Sequence, residues 1–224
     1  MISREEFENS LLCAMNYWHK KDKEEIFELI GKCVADMVDF DQNNPHHCFD
    51  LFTHILRVVD NIIVPKDKYL AIAAFFHDIG KPMTAIYKNG HKVFYGHAAK
   101  SSVIIEEILE NLNYDKDEID LIKFYIRHHD DFISYELPEY LGNPNLVMIT
   151  EINIKKYAEK LSRKYIHLVN KYGIKTLLLN LMILCLADVK AQATIVYKEG
   201  KIVDTMEHKV KKLNEIRNII ESSL

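Results

Sequence analysis

Helix breakers are scarce in this chain, with seven glycines and five prolines among 224 residues. Glycine and proline are costly inside helices and needed at tight turns. So few of them cannot punctuate a many-stranded β fold or build a glycine-rich dinucleotide loop. A mostly helical protein follows. Hydrophobic residues make up 48% and charged residues 28%, a balance that forms a sizeable core and argues against disorder. The length suits a single helical domain over residues 1–224. Helical periodicity predicts amphipathic segments at 3–18 and 22–38. Further helices are expected at 46–62, 67–79, 97–112, 115–129, 153–171, 174–193 and 204–222. An Asn89-Gly90 turn between short aromatic or β-branched runs predicts a loop or one small β-hairpin over about 85–96.

The formal net charge is −4, which gives no strong sign of extended nucleic-acid binding or of attraction to an anionic membrane. Cys13, Cys33, Cys48 and Cys185 are widely spaced with no CxxC pair, and the N-terminus lacks a signal pattern. A reducing, cytoplasmic location is therefore expected. The longest apolar run, Leu177 to Ala187, falls well short of the roughly 20 residues of a membrane span. It reads as a buried helix, and no membrane partner is expected.

Three places break the hydrophobic pattern in a way that burial alone does not explain. A His77-Asp78 pair closes the apolar segment around Phe75-Phe76. Asp188 is the one charged residue between Lys175 and Lys190. An unpaired carboxylate there would cost several kcal/mol in desolvation, so it is neutralised, paired with a cation or bound to a metal. His47, Asp50 and His54, read as residues of the 46–62 helix, would share one face within an arc of roughly 60°. Each has an ordinary reading as a helix cap, an ion pair or a solvated stripe. Together they weaken those readings, because eight of the 11 histidines fall between His46 and His129. Imidazoles and carboxylates brought from several helices are the donors a divalent metal site requires.

The motifs HCFDLFTH (47–54), FFHDIGKP (75–82), FYGHAAKS (94–101), RHHD (127–130) and CLADVKA (185–191) resemble the HD superfamily of metal-dependent phosphohydrolases. The likeness covers about residues 44–192. It lies nearest the HD domain of bacterial CCA-adding and poly(A)-polymerase-like nucleotidyltransferases, whose nucleotidyltransferase head has no counterpart here. The resemblance implies an all-α helical bundle with accessory helices at 1–40 and 200–224, which close the bundle or form a homodimer surface.

It also implies roles. His54, His77, Asp78 and Asp188 match the core metal ligands, and His97 and His129 match positions that complete a second site. His128 stands as the alternative to His129 and otherwise as a substrate-side residue. Asp78 and Lys81 are the expected catalytic groups, Lys81 holding a phosphate oxygen unless it is an ordinary exposed lysine. His47 and Asp50 are expected to face the site, and Arg127 and Arg57 are weaker candidates for the phosphate-holding role of Lys81. The implied cofactor is one or two divalent ions drawn from Mg, Mn, Ni, Co, Fe or Zn, and the implied partner is a small phosphate ester, of nucleotide type or related. Two other readings share these residues: an HD-type di-iron oxygenase, and a non-catalytic nucleotide-binding regulatory module. The HD-GYP branch is disfavoured because HHD runs on into DFISYELPEY.

Overall fold

Short polar side chains start most of the longer helices. Ser3, Asp22, Asp50, Asp67, Asp115 and Thr150 each accept a hydrogen bond from a first-turn amide of the helix that follows. Asp22 with Glu25 and Asp115 with Glu118 form reciprocal capping boxes. The computed structural model describes all residues except 45, 63–66, 141, 193–194 and 199–200, and only the backbone of 195–198 and 201–204. Among the described residues the helices are α1 (Arg4–Ser10), α2 (Ala14–Trp18), α3 (Lys23–Ile30), α4 (Lys32–Ala35), α5 (Leu51–Asn61), α6 (Lys68–Phe76) and α7 (Lys81–Thr84). They continue as α8 (His97–Asn111), α9 (Lys116–His128), α10 (Glu151–Lys164), α11 (Ile166–Tyr172), α12 (Ile174–Lys190) and α13 (Met206–Ser223). The protein is all-α.

Among the described residues, three two-stranded sheets decorate the helices. The expected hairpin pairs β1 (Ile86–Lys88) antiparallel with β2 (His91–Val93). Two further pairs were not legible in the periodicity. Tyr135–Glu136 runs parallel to Val147–Met148, and Ile195–Lys198 pairs antiparallel with Lys201–Asp204.

α6 is apolar nearly all round, with Leu70 and Ile72 through Phe76 buried, as a helix enclosed on every side must be. It packs against α5, α9 and α12. α8 lies along α9, and α13 covers α12 and α10. The N-terminal helices are held by an aromatic cluster of Phe7, Trp18, Phe75 and Phe76, in which the Trp18 and Phe75 centroids are 5.2 Å apart. Burying such rings supplies a few kcal/mol each. The Trp18 Nε1–H donates to Ser10 Oγ at 2.8 Å, so its polar end is satisfied.

Several helix boundaries depart from expectation. α5 begins at Leu51, not 46, because Asp50 Oδ1 accepts the Thr53 amide at 3.0 Å and caps the helix. The expected helix over 153–171 breaks at Tyr165, giving α10 and α11. Among the described residues no single helix is long and apolar enough to cross a membrane.

Candidate metal centre

Five helices bring their ends or faces to one buried point. α5 supplies His54, α6 runs directly into His77 and Asp78, α8 begins with His97, α9 gives way to His129 and Asp130, and α12 carries Asp188 in its last turn. His54, His77, Asp78, His97, His129 and Asp188 are all buried. Gly96 precedes α8 in the left-handed region at φ 76°, a conformation strained for other residues, and so sets the entry angle of His97.

The ring nitrogens show why these histidines point as they do. The Nδ1 of His77, His97 and His129 lies 2.7–2.8 Å from the carbonyl oxygens of Ala74, Phe94 and Ile126. His54 Nδ1 lies 3.3 Å from the Ala191 carbonyl. A carbonyl can only accept, so each Nδ1 carries a proton and each Nε2 is the nitrogen turned to the centre, where it can give a lone pair to a cation that displaces any proton it carries. Ala74 and Ile126 lie in the last turns of α6 and α9, where carbonyls lack helical partners. His77 and His129 therefore cap their helices with one nitrogen and face the centre with the other.

Asp78 divides the cluster. Its Oδ2 lies 3.2 Å from His77 Nε2 and 3.6 Å from His54 Nε2. Its Oδ1 lies 3.0 Å from His97 Nε2 and 3.6 Å from His129 Nε2. Asp188 Oδ1 completes the first half at 3.0 Å from His54 Nε2 and 3.8 Å from His77 Nε2. Asp130 completes the second, with Oδ2 2.9 Å from His97 Nε2 and Oδ1 3.5 Å from His129 Nε2.

A cation fits this donor set. Among the described residues the buried His54 Nε2, His77 Nε2, Asp78 Oδ1 and Asp188 Oδ1 atoms have no hydrogen-bond partner. An orphaned buried polar atom costs about 1–3 kcal/mol, and several in one place call for a positive charge between them. His97 and His129 turn their Nε2 atoms toward each other at 3.2 Å, which two lone pairs tolerate only with a proton or a metal ion present. Among the described residues, three overlapping sets of donors stand close enough to hold an ion: His54, His77 and Asp188; His77, Asp78 and His129; His97, His129 and Asp130. Imidazole with carboxylate, without thiolate, suits a borderline divalent ion.

The electrostatics agree. Burial pushes the Asp78 carboxyl up, but His77 and Lys81 overcome it and hold the group well below the usual carboxylate range. Asp188 is likewise held low against burial, by His54 and His77. Burial pushes His97 down, but the Asp130 and Asp78 carboxylates beside it raise it to about 10. The carboxylates stay ionised and the pocket attracts positive charge.

Lys81 is not an ordinary exposed lysine. It is 4% exposed, and its Nζ lies 2.7 Å from Asp78 Oδ2 and donates to Gln42 Oε1 at 2.9 Å. His47 reaches the site from the turn before α5, its ring centroid 5.0 Å from that of His54 and its Nε2 3.5 Å from Lys81 Nζ. It does so without the shared helical face that the spacing suggested. Asp50 does not face the site, because its carboxylate is used as the α5 cap. His128 turns away from the cluster, with Nδ1 2.7 Å from Asp131 Oδ2 and Nε2 2.9 Å from the Tyr165 hydroxyl. Arg127 lines the cleft beside His97. Arg57 is exposed and stacks over Phe49 at 4.1 Å, so nothing here supports a phosphate contact for it.

Sequence reasoning passed over Asp130 and Gln42. Asp130 stood in plain view as the last letter of RHHD. Gln42 sits in a polar turn, and only its burial to 1% exposure distinguishes it.

Comparison with known proteins agrees in the family. A model of the HD domain matches residues 47–192. No curated protein matches the chain.

Proposed function

Because the chain belongs to the HD domain family, we propose that it is a metal-dependent phosphohydrolase acting on a phosphate ester of a nucleotide or a related small molecule. One observation carries the reading: four imidazoles, each held at Nδ1 by a backbone carbonyl, turn their Nε2 atoms toward the two oxygens of one ionised aspartate. In the proposal His54, His77, Asp78 and Asp188 would hold one ion, and His97, His129 and Asp130 with Asp78 would hold a second. When bound, such ions polarise a phosphoryl group and lower the pKa of water.

The chain's own groups have separate parts. Asp78 joins the two halves and orients what lies between them. Lys81, whose ammonium is already desolvated beside Asp78, donates to a phosphate oxygen, and Gln42 holds its Nζ in place. The likeness of residues 47–54 and 75–82 to nucleotidyltransferase HD domains is the reason to favour nucleotides among the esters tested.

The test is phosphate release from a panel of mono- and diesters after loading the metal-free chain with Mn, Fe, Co, Ni, Zn or Mg. Turnover is expected with at least one metal, falling by about 100-fold or more in His77→Ala and Asp78→Asn. Absence of turnover with every metal and ester would overturn the proposal. Oxygen consumption by an iron-loaded chain would replace it with the oxygenase reading.

A further inference from the structure

Beside the centre, a cleft of about 300 Å³ opens between the start of α8, the end of α9 and the face of α10. Two of its lining residues, His97 and Asp130, belong to the donor cluster, so the cleft continues outward from the second half of the centre. The same walls carry Arg127, Lys160 and Lys164. Lys160 and Lys164 stand one helical turn apart on α10, the spacing that places both on one face.

These three cations lack strong partners. Among the described residues Arg127 and Lys160 make no ion pair, and Lys164 lies over the Tyr165 ring at 5.0 Å. The two carboxylates of the cleft are already engaged. Asp130 contacts His97 and His129, and Asp131 contacts His128 Nδ1 at 2.7 Å and accepts from the Tyr157 hydroxyl at 2.8 Å. Arg127 acts on Asp131 only through longer-range attraction. Cations gathered in a concave site without partners focus positive potential there, and an arginine fork with two ammonium groups matches phosphate oxygens.

We propose that this cleft binds a second anionic group of the substrate, so that the substrate class is a small polyphosphate ester carrying at least two phosphates. The proposal rests on the phosphohydrolase reading for which phosphate reacts, and on the cleft alone for where the rest of the molecule lies. Its volume admits a short phosphate chain. The basic character extends along α10 to Lys156 and Arg163, but Glu159 lies between them and approaches Arg163 at 3.6 Å. That interruption favours a small ligand over an extended RNA strand.

The experiment compares the wild type with Arg127→Gln, Lys160→Gln and the double variant, all confirmed as folded by circular dichroism. Binding of inorganic tripolyphosphate to the metal-free chain is measured by calorimetry. In the metal-loaded chain, kcat/KM for a nucleoside triphosphate is divided by kcat/KM for an aryl monophosphate. Each single variant is expected to weaken tripolyphosphate binding and lower that ratio by about tenfold, the loss of one charge-assisted hydrogen bond. Arg127→Lys should restore part of both.

Unchanged tripolyphosphate affinity in the double variant would overturn the cleft assignment even if esters are hydrolysed. Weakened affinity in a chain that hydrolyses no ester would support the cleft and sink the phosphohydrolase reading instead. A single-stranded oligonucleotide that binds more tightly than tripolyphosphate, and loses affinity in Lys156→Gln with Arg163→Gln, would overturn the small-ligand assignment.

Discussion

Gly80 offers a test in which two physical effects have opposite signs. It follows the His77-Asp78 pair with φ −82° and ψ −10°, an ordinary right-handed conformation. Replacing such a glycine by alanine normally stabilises a protein by about 0.4–1 kcal/mol, because the unfolded chain loses freedom. Here a Cβ would stand 2.7 Å from the His97 carbonyl oxygen, 2.8 Å from the Ser101 nitrogen and 3.0 Å from the Lys100 Cβ. Two of these neighbours are main chain of the first turns of α8, which cannot rotate aside. The Gly80 amide also donates to Ser101 Oγ at 2.9 Å, tying the same surfaces together. Overpacking of this kind costs about 1–3 kcal/mol, so Gly80→Ala should be destabilised by a net of about 1–2 kcal/mol. Urea unfolding of the metal-free chain would show this as a lower midpoint at unchanged slope. Because α8 must move, His97 should leave its 3.0 Å approach to Asp78 Oδ1. If the chain takes two ions as proposed, a calorimetric Mn²⁺ titration should show one of two steps losing about tenfold in affinity, while the step on His54, His77 and Asp188 holds. A raised midpoint with both steps intact would refute the close approach of α8 to Gly80.

Two further predictions follow from groups outside the centre. Asp50→Ala should cost about 1 kcal/mol of stability, and Asp50→Asn should cost much less, because asparagine caps as well as aspartate; a large loss of turnover in a folded Asp50→Asn would contradict its assignment as a cap. Glu118 joins α9 to α1 through Arg4 at 2.6 Å and to α6 through Tyr69 at 2.8 Å. Burial pushes its carboxyl up, but Arg4, the Asp115 amide and Tyr69 lower it to about 2 from 4.5. A depressed folded value means stability that is present above pH 4.5 and lost as pH falls toward 2. Near the surface, where solvent screens the pair, this amounts to about 1 kcal/mol. Glu118→Gln keeps a capping residue and removes the charge, so its urea midpoint should fall less than wild type between pH 5 and pH 2.5, values chosen to bracket roughly that window; identical pH dependence would show that the pair is not coupled to folding.

The ways in which the helix boundaries differ from expectation are instructive about the site. Periodicity carried the apolar segment 67–79 through His77 and Asp78, and carried 115–129 through His129. The helices stop at Phe76 and His128. At both places a histidine bonds the carbonyl three residues before it with Nδ1, using an acceptor the helix end leaves free. A single sequence shows residue types and spacing, and so it marked His54, His77, Asp78 and Asp188 as anomalous and, through the family likeness, added His97 and His129. It does not show which ring nitrogen is occupied, because that depends on where the helix ends. Nor does it separate an aspartate that caps from one that faces a cavity, which is why Asp50 read as a site residue and Asp130 did not. The ordinary reading of His77-Asp78 as a helix cap and the reading of it as a ligand pair are therefore not alternatives. Capping fixes the aim of the ring, and the turning of Nε2 to the centre is a consequence of the same bond that ends the helix.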